Sequence, residues 1–410
     1  MRRRRARRRT RWADETNDEN DPEMKPIVLL SIAAVLYHYA VYPVLVLLIA
    51  RWRGRGAAAR YPATPEGAAQ WPRVTLLIAA YNEERVIEGK ILNSLALDYP
   101  HPIELIVVSD GSSDSTPQIV SRHADRGVVS MHQAPRRGKT AALNRGVAAA
   151  TGEIVVFSDA NNDFNRDALK ALVQHFADPA VGGVCGVKQI REAGDRESSV
   201  GDGLYWRYES AIKLAEGQIG SITNADGEIF AMRRGLWRPI AEHIINDDAQ
   251  ITFDIVDQHK RILYEPAARS TEYASIRIED DFFVKVRMVA GGFQTIAQQW
   301  RRLLPPLSWF ALAYVSHKVL RYLVPLFLVA IAIGSLWLAA TGEAAYQVLV
   351  VLQLLFYGTA WAGWLRLRRG PLPTALYVPF YFCTMNLAAL LGFVRFVTGK
   401  QGTSWRKAQR

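Results

Sequence analysis

Short runs of aliphatic and β-branched residues alternate with helix-like segments between residues 73 and 300, and unbroken apolar runs flank that region on both sides. Four strands are predicted inside it, at "VTLLIAAYN" (74–82), "IELIVVSDGS" (103–112), "VVSMHQAP" (128–135) and "EIVVFSDAN" (153–161), each followed by a helical pattern. Such alternation predicts a mostly parallel sheet with crossover helices. Three of the four strands run into polar clusters, at Asn82–Glu84, Asp110–Asp114 and Asp159–Asn162. Parallel strands bring all three clusters to one sheet edge, where open α/β sheets bind their ligands. Helix capping accounts for any one of them, since Asp110, Ser112, Ser113 and Asp114 are all good caps. Three clusters after three buried strands are better explained by a site.

Residues 26–50, 323–340, 344–365 and 371–394 contain no charged side chain. A hydrocarbon core needs roughly 20 apolar residues, so transmembrane helices are expected over 26–50, 323–340, 344–365 and 371–397. A helix buried in a soluble core is the alternative for any one run, but 344–365 is too long and too uniformly apolar for it. The first run lacks a small-residue cleavage site and follows an arginine-rich tail, which favours a retained anchor over a signal peptide. Residues 51–72, rich in glycine, alanine and proline, read as a linker. In "LLPPLSWFALAYVSHKVLR" (303–321) the apolar bulk has Ser316, His317, Lys318 and Arg321 near one end. That pattern predicts an amphipathic helix lying in the membrane interface, or one packed beneath the domain.

The 410-residue chain has a formal charge of +11, and eight arginines fall within its first eleven residues. An acidic stretch from Asp14 to Glu23 follows, so residues 1–25 are expected to be a disordered tail, solvated or drawn to anionic lipid headgroups. Residues 398–410 form a second basic tail. No aromatic platform or reading helix accompanies this charge, which argues against nucleic acid as a partner. The two cysteines, Cys185 and Cys383, are too few for a disulfide framework, and the domain reads as cytosolic. Arg51, Arg53, Arg55 and Arg60 after the first span, and "RLRRG" (366–370), agree with a cytosolic face at the inner membrane of a bacterium. Four spans then put both termini on the far side, against their own basic charge.

A strand ending on Asp159 and Asn161 offers a hard carboxylate oxygen and an amide oxygen, which suit Mg²⁺ or Mn²⁺. "RRGKTAALN" (136–144) supplies Arg136, Arg137 and Lys139 beside a helix start, a setting for phosphate. These features fit a nucleoside diphosphate held through a divalent cation.

The succession "AAYNEE", "VVSDGSSDST", "GKTAALN", "FSDANN", "ADGEIFAMRR", "INDDAQI" and "YEPAA" resembles the membrane-embedded family 2 glycosyltransferases, related in layout to cellulose, chitin and hyaluronan synthases. The resemblance covers roughly residues 70–400. It implies an α/β fold of the GT-A class, a Rossmann-like mixed sheet, joined to transmembrane helices and an interfacial helix. It implies an inverting transfer from a nucleotide-sugar donor, usually a UDP-sugar, to a lipid-linked or growing glycan acceptor among membrane lipids. By position, Ala79, Tyr81, Glu83 and Asp110 would line the nucleoside pocket, Lys139 would lie near the nucleotide, and Asp159 and Asn161 occupy the metal-binding Asp-x-Asp place. Asn161 departs from the second aspartate, and a neutral ligand weakens metal affinity.

Inversion needs a carboxylate to take the acceptor proton. "INDDAQI" is similar to the family's Thr-Glu-Asp element, which makes Asp248 the candidate base and Asp247 its neighbour at the acceptor. The same stretch also reads as a helix start capped by Asn246 or Asp247. Processive relatives carry Gln-x-x-Arg-Trp after the base; here "VKVRM" keeps only Arg287, a phosphate contact by resemblance or a helix-surface charge otherwise. Trp206, Tyr208 and Gly227 fall where the resemblance places the acceptor groove, although aromatics in this pattern also serve as core. Two alternatives stand beside the leading reading: a polyprenyl-phosphate sugar synthase, and a non-catalytic nucleotide-sugar-binding subunit of an export complex.

Overall fold

A computed structural model of the chain describes residues 23–54, 71–191, 200–273, 278–367 and 372–402, with the side chains of 54, 191, 200–206, 273 and 278–281 left aside. Most of the expected N-terminal tail, most of the linker and most of the C-terminal tail lie outside the described residues. The fold divides into two units, one made of residues up to Pro43 with Val319–Leu390, the other of Val44–Lys318 with residues from Leu391 on.

The second unit holds an eight-stranded sheet in the order β3-β2-β1-β4-β7-β6-β8-β5. Its strands are β1 (Val74–Ala80), β2 (Glu104–Asp110), β3 (Val128–Gln133), β4 (Ile154–Asp159), β5 (Asn162–Phe164), β6 (Val181–Arg191), β7 (Ile229–Arg233) and β8 (Arg261–Tyr273). The first four are mutually parallel, with Ala79 in register with Val108 on one side and Asp159 on the other. Strand β7 then runs antiparallel to β4. Of the four parallel strands, β1, β2 and β4 are nearly continuous buried runs, because helices cover both their faces, whereas β3 lies at the sheet edge and is largely exposed. Leu76, Ile78, Val107 and Val156 pack on one face with Ile87 and Ile91 of the helix Ile87–Leu95. Leu77, Ile106, Val155 and Phe157 pack on the other with Leu143 and Val147 of the helix Lys139–Ala149.

The strand ends must be kept apart from these cores, and glycine makes the turn possible at one of them. Gly111 has φ +66°, and a Cβ there would stand 2.5 Å from the Arg136 nitrogen. The close approach sets the 136–138 loop against the end of β2.

Four helices among the described residues are long and apolar enough to cross a membrane: Met24–Arg53, Trp309–Ala340, Ala344–Leu367 and Thr374–Val397. Within the first unit, Gly334 admits Val28 so closely that a Cβ would meet its Cγ2 at 2.3 Å. Small residues allow this kind of contact between apolar helices.

The interfacial helix expected over 303–321 is not a separate element. The helix Ile278–Leu303 ends at that point, because Pro305 and Pro306 cannot continue it. A new helix begins at Trp309, capped by Ser308 Oγ accepting the Ala311 N–H at 3.0 Å. It passes through a π-helical turn, Val315–Val319, and runs on to Ala340. Of the polar residues that suggested a wet surface, Ser316, His317 and Lys318 are buried and Arg321 is half-buried. His317 Nδ1 lies 2.8 Å from Glu216 Oε1, and Lys318 Nζ donates to Glu209 Oε1 at 3.2 Å. The long amphipathic helix is Ile278–Leu303 itself, with Phe283, Met288 and Trp300 exposed.

Candidate active site at the sheet edge

Lys139 opens a helix directly after Gly138, and its ammonium reaches the end of β4 to donate to Asp159 Oδ1 at 2.7 Å. Asp247 Oδ2 lies 4.0 Å from the same nitrogen. Asp247 and Asp248 form the first turn of the helix Asp247–Asp257, whose cap residue is Asn246. That helix start is pinned by the long helix Ile278–Leu303: Asn246 Nδ2 donates to the Met288 carbonyl at 2.9 Å, and Gln294 Oε1 accepts the Ile245 N–H at 3.0 Å. Gly291 makes room for this, since a Cβ there would strike Asn246 Oδ1 at 2.3 Å. Arg287, one turn before Gly291, acts electrostatically on Asp247, Asp248 and Asp159.

Gly227 adjoins these groups at ordinary contact distance. A Cβ built there would lie 3.5 Å from Asp248 Cβ, 3.8 Å from Asp247 Oδ2 and 4.0 Å from Lys139 Nζ. The fold thus joins Lys139, Asp159, Gly227, Asp247, Asp248 and Arg287, drawn from five separate stretches of sequence.

Electrostatics divides the carboxylates. Burial, the charge of Asp247 and that of Asp226 push the Asp248 carboxyl up to about 7, against the Ala249 N–H and Lys139, which stabilise its charged form. Burial also opposes the charge of Lys139, yet Asp159, Asp247 and Asp248 outweigh it and hold the ammonium above the ordinary lysine range. Burial lowers Arg287 from the ordinary arginine value, against the pull of the same three carboxylates. A base poised near neutrality beside a permanently charged lysine is a combination suited to proton transfer next to an anionic leaving group.

The other expected residues fall into two groups. At the ends of β1 and β2, the Arg136 guanidinium lies over the Tyr81 ring at 3.7 Å. The Glu83 N–H donates to Thr116 Oγ1 at 2.8 Å. Asp110 is buried there, and its Oδ2 accepts the N–H groups of Arg137 and Gly138 at 3.0 and 2.6 Å, while Arg145 reaches Oδ1 at 3.4 Å. Asp110 therefore acts as the anchor of the 136–138 loop that delivers Lys139. Asn161 turns its amide nitrogen to Glu272 Oε1 at 2.8 Å.

The second group belongs to the helix Val200–Ile219. Tyr208 is half-buried on it, and the Trp206 side chain lies outside the described residues. Sequence reasoning missed Lys213 on this helix, which donates to Asp226 Oδ2 at 2.7 Å. Asp226 stands in the quoted "ADGEIF" and was open to discovery. Lys213 and Glu272 carry no local motif.

Residues 75–240 match the family model described as glycosyl transferase family 2. A poly-beta-1,6-N-acetyl-D-glucosamine synthase of Staphylococcus aureus is 26% identical over 235 residues, 55% of this chain and 56% of its own. A beta-monoglucosyldiacylglycerol synthase of Synechocystis sp. is 28% identical over 322 residues, 73% of this chain and 64% of its own. The chain thus spans between about half and two thirds of these relatives. Among solved structures, a mannosyltransferase from Pyrobaculum calidifontis in complex with GDP-Man and Mn²⁺ superposes with a TM-score of 0.68 at 24% identity, over 91% of this chain and 99% of the other. That likeness establishes the fold: a mixed sheet of the GT-A class with apolar helices appended.

Proposed function

The chain belongs to the family 2 glycosyltransferases, and from that premise we propose that it transfers a sugar with inversion from a nucleotide-sugar donor to a membrane-held lipid or glycan acceptor. The observation that carries this reading is the meeting of Lys139, Asp159, Asp247 and Asp248 at one sheet edge, with Lys139 Nζ 2.7 Å from Asp159 and 4.0 Å from Asp247. In the proposed step the acceptor hydroxyl oxygen attacks the anomeric carbon and Asp248 takes its proton. The bond to the diphosphate breaks, and the electron pair leaves with the nucleoside diphosphate. Lys139 and Arg287 face the negative charge that develops there. Tyr81 with Arg136 forms a flat wall at the end of β1, suited to a nucleobase, and Glu83 and the Ala79 backbone adjoin it.

No group of three His, Cys, Asp or Glu side chains among the described residues forms a protein-only metal cage. Mg²⁺ and Mn²⁺ do not need one, because in nucleotide sites one or two protein ligands and the phosphate oxygens suffice. Asp159, partly exposed at the end of β4, fits that donor set together with the Asn161 amide oxygen. The ion would neutralise phosphate charge and ease departure of the diphosphate. The site is assigned to the cytosolic face, where nucleotide sugars are found and where the arginines after the first span point by the positive-inside rule.

Loss of tryptophan from the Gln-x-x-Arg-Trp place, where Met288 stands, favours transfer of one or few sugars over a long polymer. The test is release of nucleoside diphosphate from a panel of UDP- and GDP-sugars by the detergent-purified protein, with Mg²⁺ or Mn²⁺ and with or without added lipid. Turnover of one donor, abolished by chelation and by Asp248→Asn, is expected. Turnover unaffected by Asp248→Asn would overturn the assignment of the base, and a site that binds no nucleoside diphosphate at all would overturn the function.

A further inference from the structure

We propose that Glu272 is a positioning residue that fixes the Asn161 amide with its oxygen toward the site, and that the pair Asn161–Glu272 replaces the second carboxylate of the Asp-x-Asp place. The inference rests on the metal-and-diphosphate reading given above and concerns residues 111 positions apart in the chain.

Strand β8 returns antiparallel to β5 with Glu272 in register with Asn162, which suspends its side chain over the turn that follows β4. There Asn161 Nδ2 donates to Glu272 Oε1 at 2.8 Å. An ionised carboxylate only accepts, so it can hold the nitrogen of the amide and never its oxygen. The contact therefore selects one of the two amide orientations. Asn161 Oδ1 has no hydrogen bond recorded among the described residues and is left to serve as an oxygen ligand.

Glu272 is itself fixed. It is 5% exposed, and Lys188 Nζ bridges its Oε2 and the buried Glu228. Glu228 in turn uses its backbone carbonyl to accept Asn162 Nδ2 at 3.0 Å, while Asn162 Oδ1 accepts the fully buried Lys90 at 2.9 Å. Asn161 in the turn and Asn162 at the start of β5 are thus both held by a buried ionic network.

This network gives a physical reason for the asparagine. An aspartate at 161 would set its carboxylate against buried Glu272 with Lys188 already shared between two acids. Like charges at that distance destabilise the fold. The amide keeps an oxygen for the ion and offers Glu272 a donor, so the departure from Asp-x-Asp is a matched exchange.

The experiment is titration of Mn²⁺ in the presence of UDP, and separately GDP, on the full-length detergent-solubilised protein, followed by the electron paramagnetic resonance of free Mn²⁺. Loss of a residue that orients a metal ligand typically weakens affinity about 10–100-fold. That loss is expected for Glu272→Ala. Glu272→Gln keeps an acceptor for the amide and should stay within about threefold of wild type. Asn161→Ala, which leaves the Lys188 pair intact, should lose as much as Glu272→Ala, and the double variant no more. If Glu272 were merely one half of an ion pair with Lys188, Glu272→Gln would fall with Glu272→Ala, and that result overturns the proposal. In the absence of metal, Asn161→Asp should lower the thermal midpoint and Glu272→Gln should recover it. Additive effects would refute the charge matching. Asp159→Asn separates the two levels: unchanged Mn²⁺ binding there defeats the metal reading itself, whereas lost binding there with Glu272→Ala unaffected defeats only the role of Glu272.

Discussion

Replacing Asp248 with asparagine should raise stability while removing activity, and the size of the first effect follows from the environment of the carboxyl. Burial and the adjacent Asp247 move it from 3.8 to about 7. Each unit corresponds to about 1.4 kcal/mol, so ionised Asp248 costs the folded state up to about 4 kcal/mol. The folded protein holds this proton after the unfolded chain has released it. The stability so conferred is complete below pH 3.8, erodes as the pH rises, and is gone above about 7. Asparagine never ionises and keeps an oxygen for the Ala249 N–H, which Asp248 Oδ1 accepts at 2.8 Å. The variant should therefore match wild type near pH 4 and exceed it increasingly up to pH 8. Thermal unfolding in detergent across that range reads the difference, at roughly 2–4 °C per kcal/mol for a domain of this size. Turnover at pH 8 should fall by about 10²–10⁴, the usual worth of a positioned base. A variant less stable than wild type at pH 8, or one offset equally at all pH values, would refute the electrostatic argument. Turnover within tenfold of wild type would refute the base.

The remaining expectations use the same groups. The wild-type kcat/KM should rise with pH and level off near 7, because only the ionised carboxylate accepts a proton; Lys139→Gln removes a charge that opposes the upward shift of Asp248, and should move that limb to higher pH in an assay of diphosphate release from pH 5 to 9. An unmoved limb would contradict the coupling. Gly227→Val fills the space beside Asp247 and Lys139, so the KM for acceptor should rise more than about tenfold while UDP affinity changes little, a split that uniform damage would not produce. Gly111→Ala forces a side chain into φ +66° and against the Arg136 backbone, with a cost of about 1–3 kcal/mol, visible as a lower thermal midpoint and weaker nucleotide binding.

The strands were legible because their signal is local. "VTLLIAA" and "IVVF" are buried on both faces, and continuous apolar runs ending in polar clusters report that directly. Lys139 and Asp159 could be read from the neighbouring "RRGK" and "FSDANN", and Asp248 from its likeness to a known element. The interfacial helix went wrong for an equally physical cause. In "LLPPLSWFALAYVSHKVLR" a cluster of polar residues at the end of an apolar stretch is consistent with a wet surface, and equally with a buried ion network whose partners lie elsewhere. Glu209 and Glu216, about 100 residues earlier, decide between the two. Glu272 was invisible for the same reason, since nothing in "STEYA" marks it until β8 pairs with β5.

Two aspartates of one site end up with different chemistry although their side chains are identical. Asp159 closes a parallel strand at an exposed edge and is paired at 2.7 Å with Lys139, so its charge is supported and it is suited to hold a cation. Asp248 opens a helix beside another carboxylate and has more burial than compensation, so its charge is resisted and it is suited to take a proton. Separating the affinities of paired carboxyl groups for protons is how a site obtains a ligand and a base from the same residue type. Lys139 is the element that sustains the division, because it lies near both and binds directly to only one. Moving it would therefore disturb metal affinity and proton affinity together. That joint response would not arise if the two aspartates belonged to independent sites.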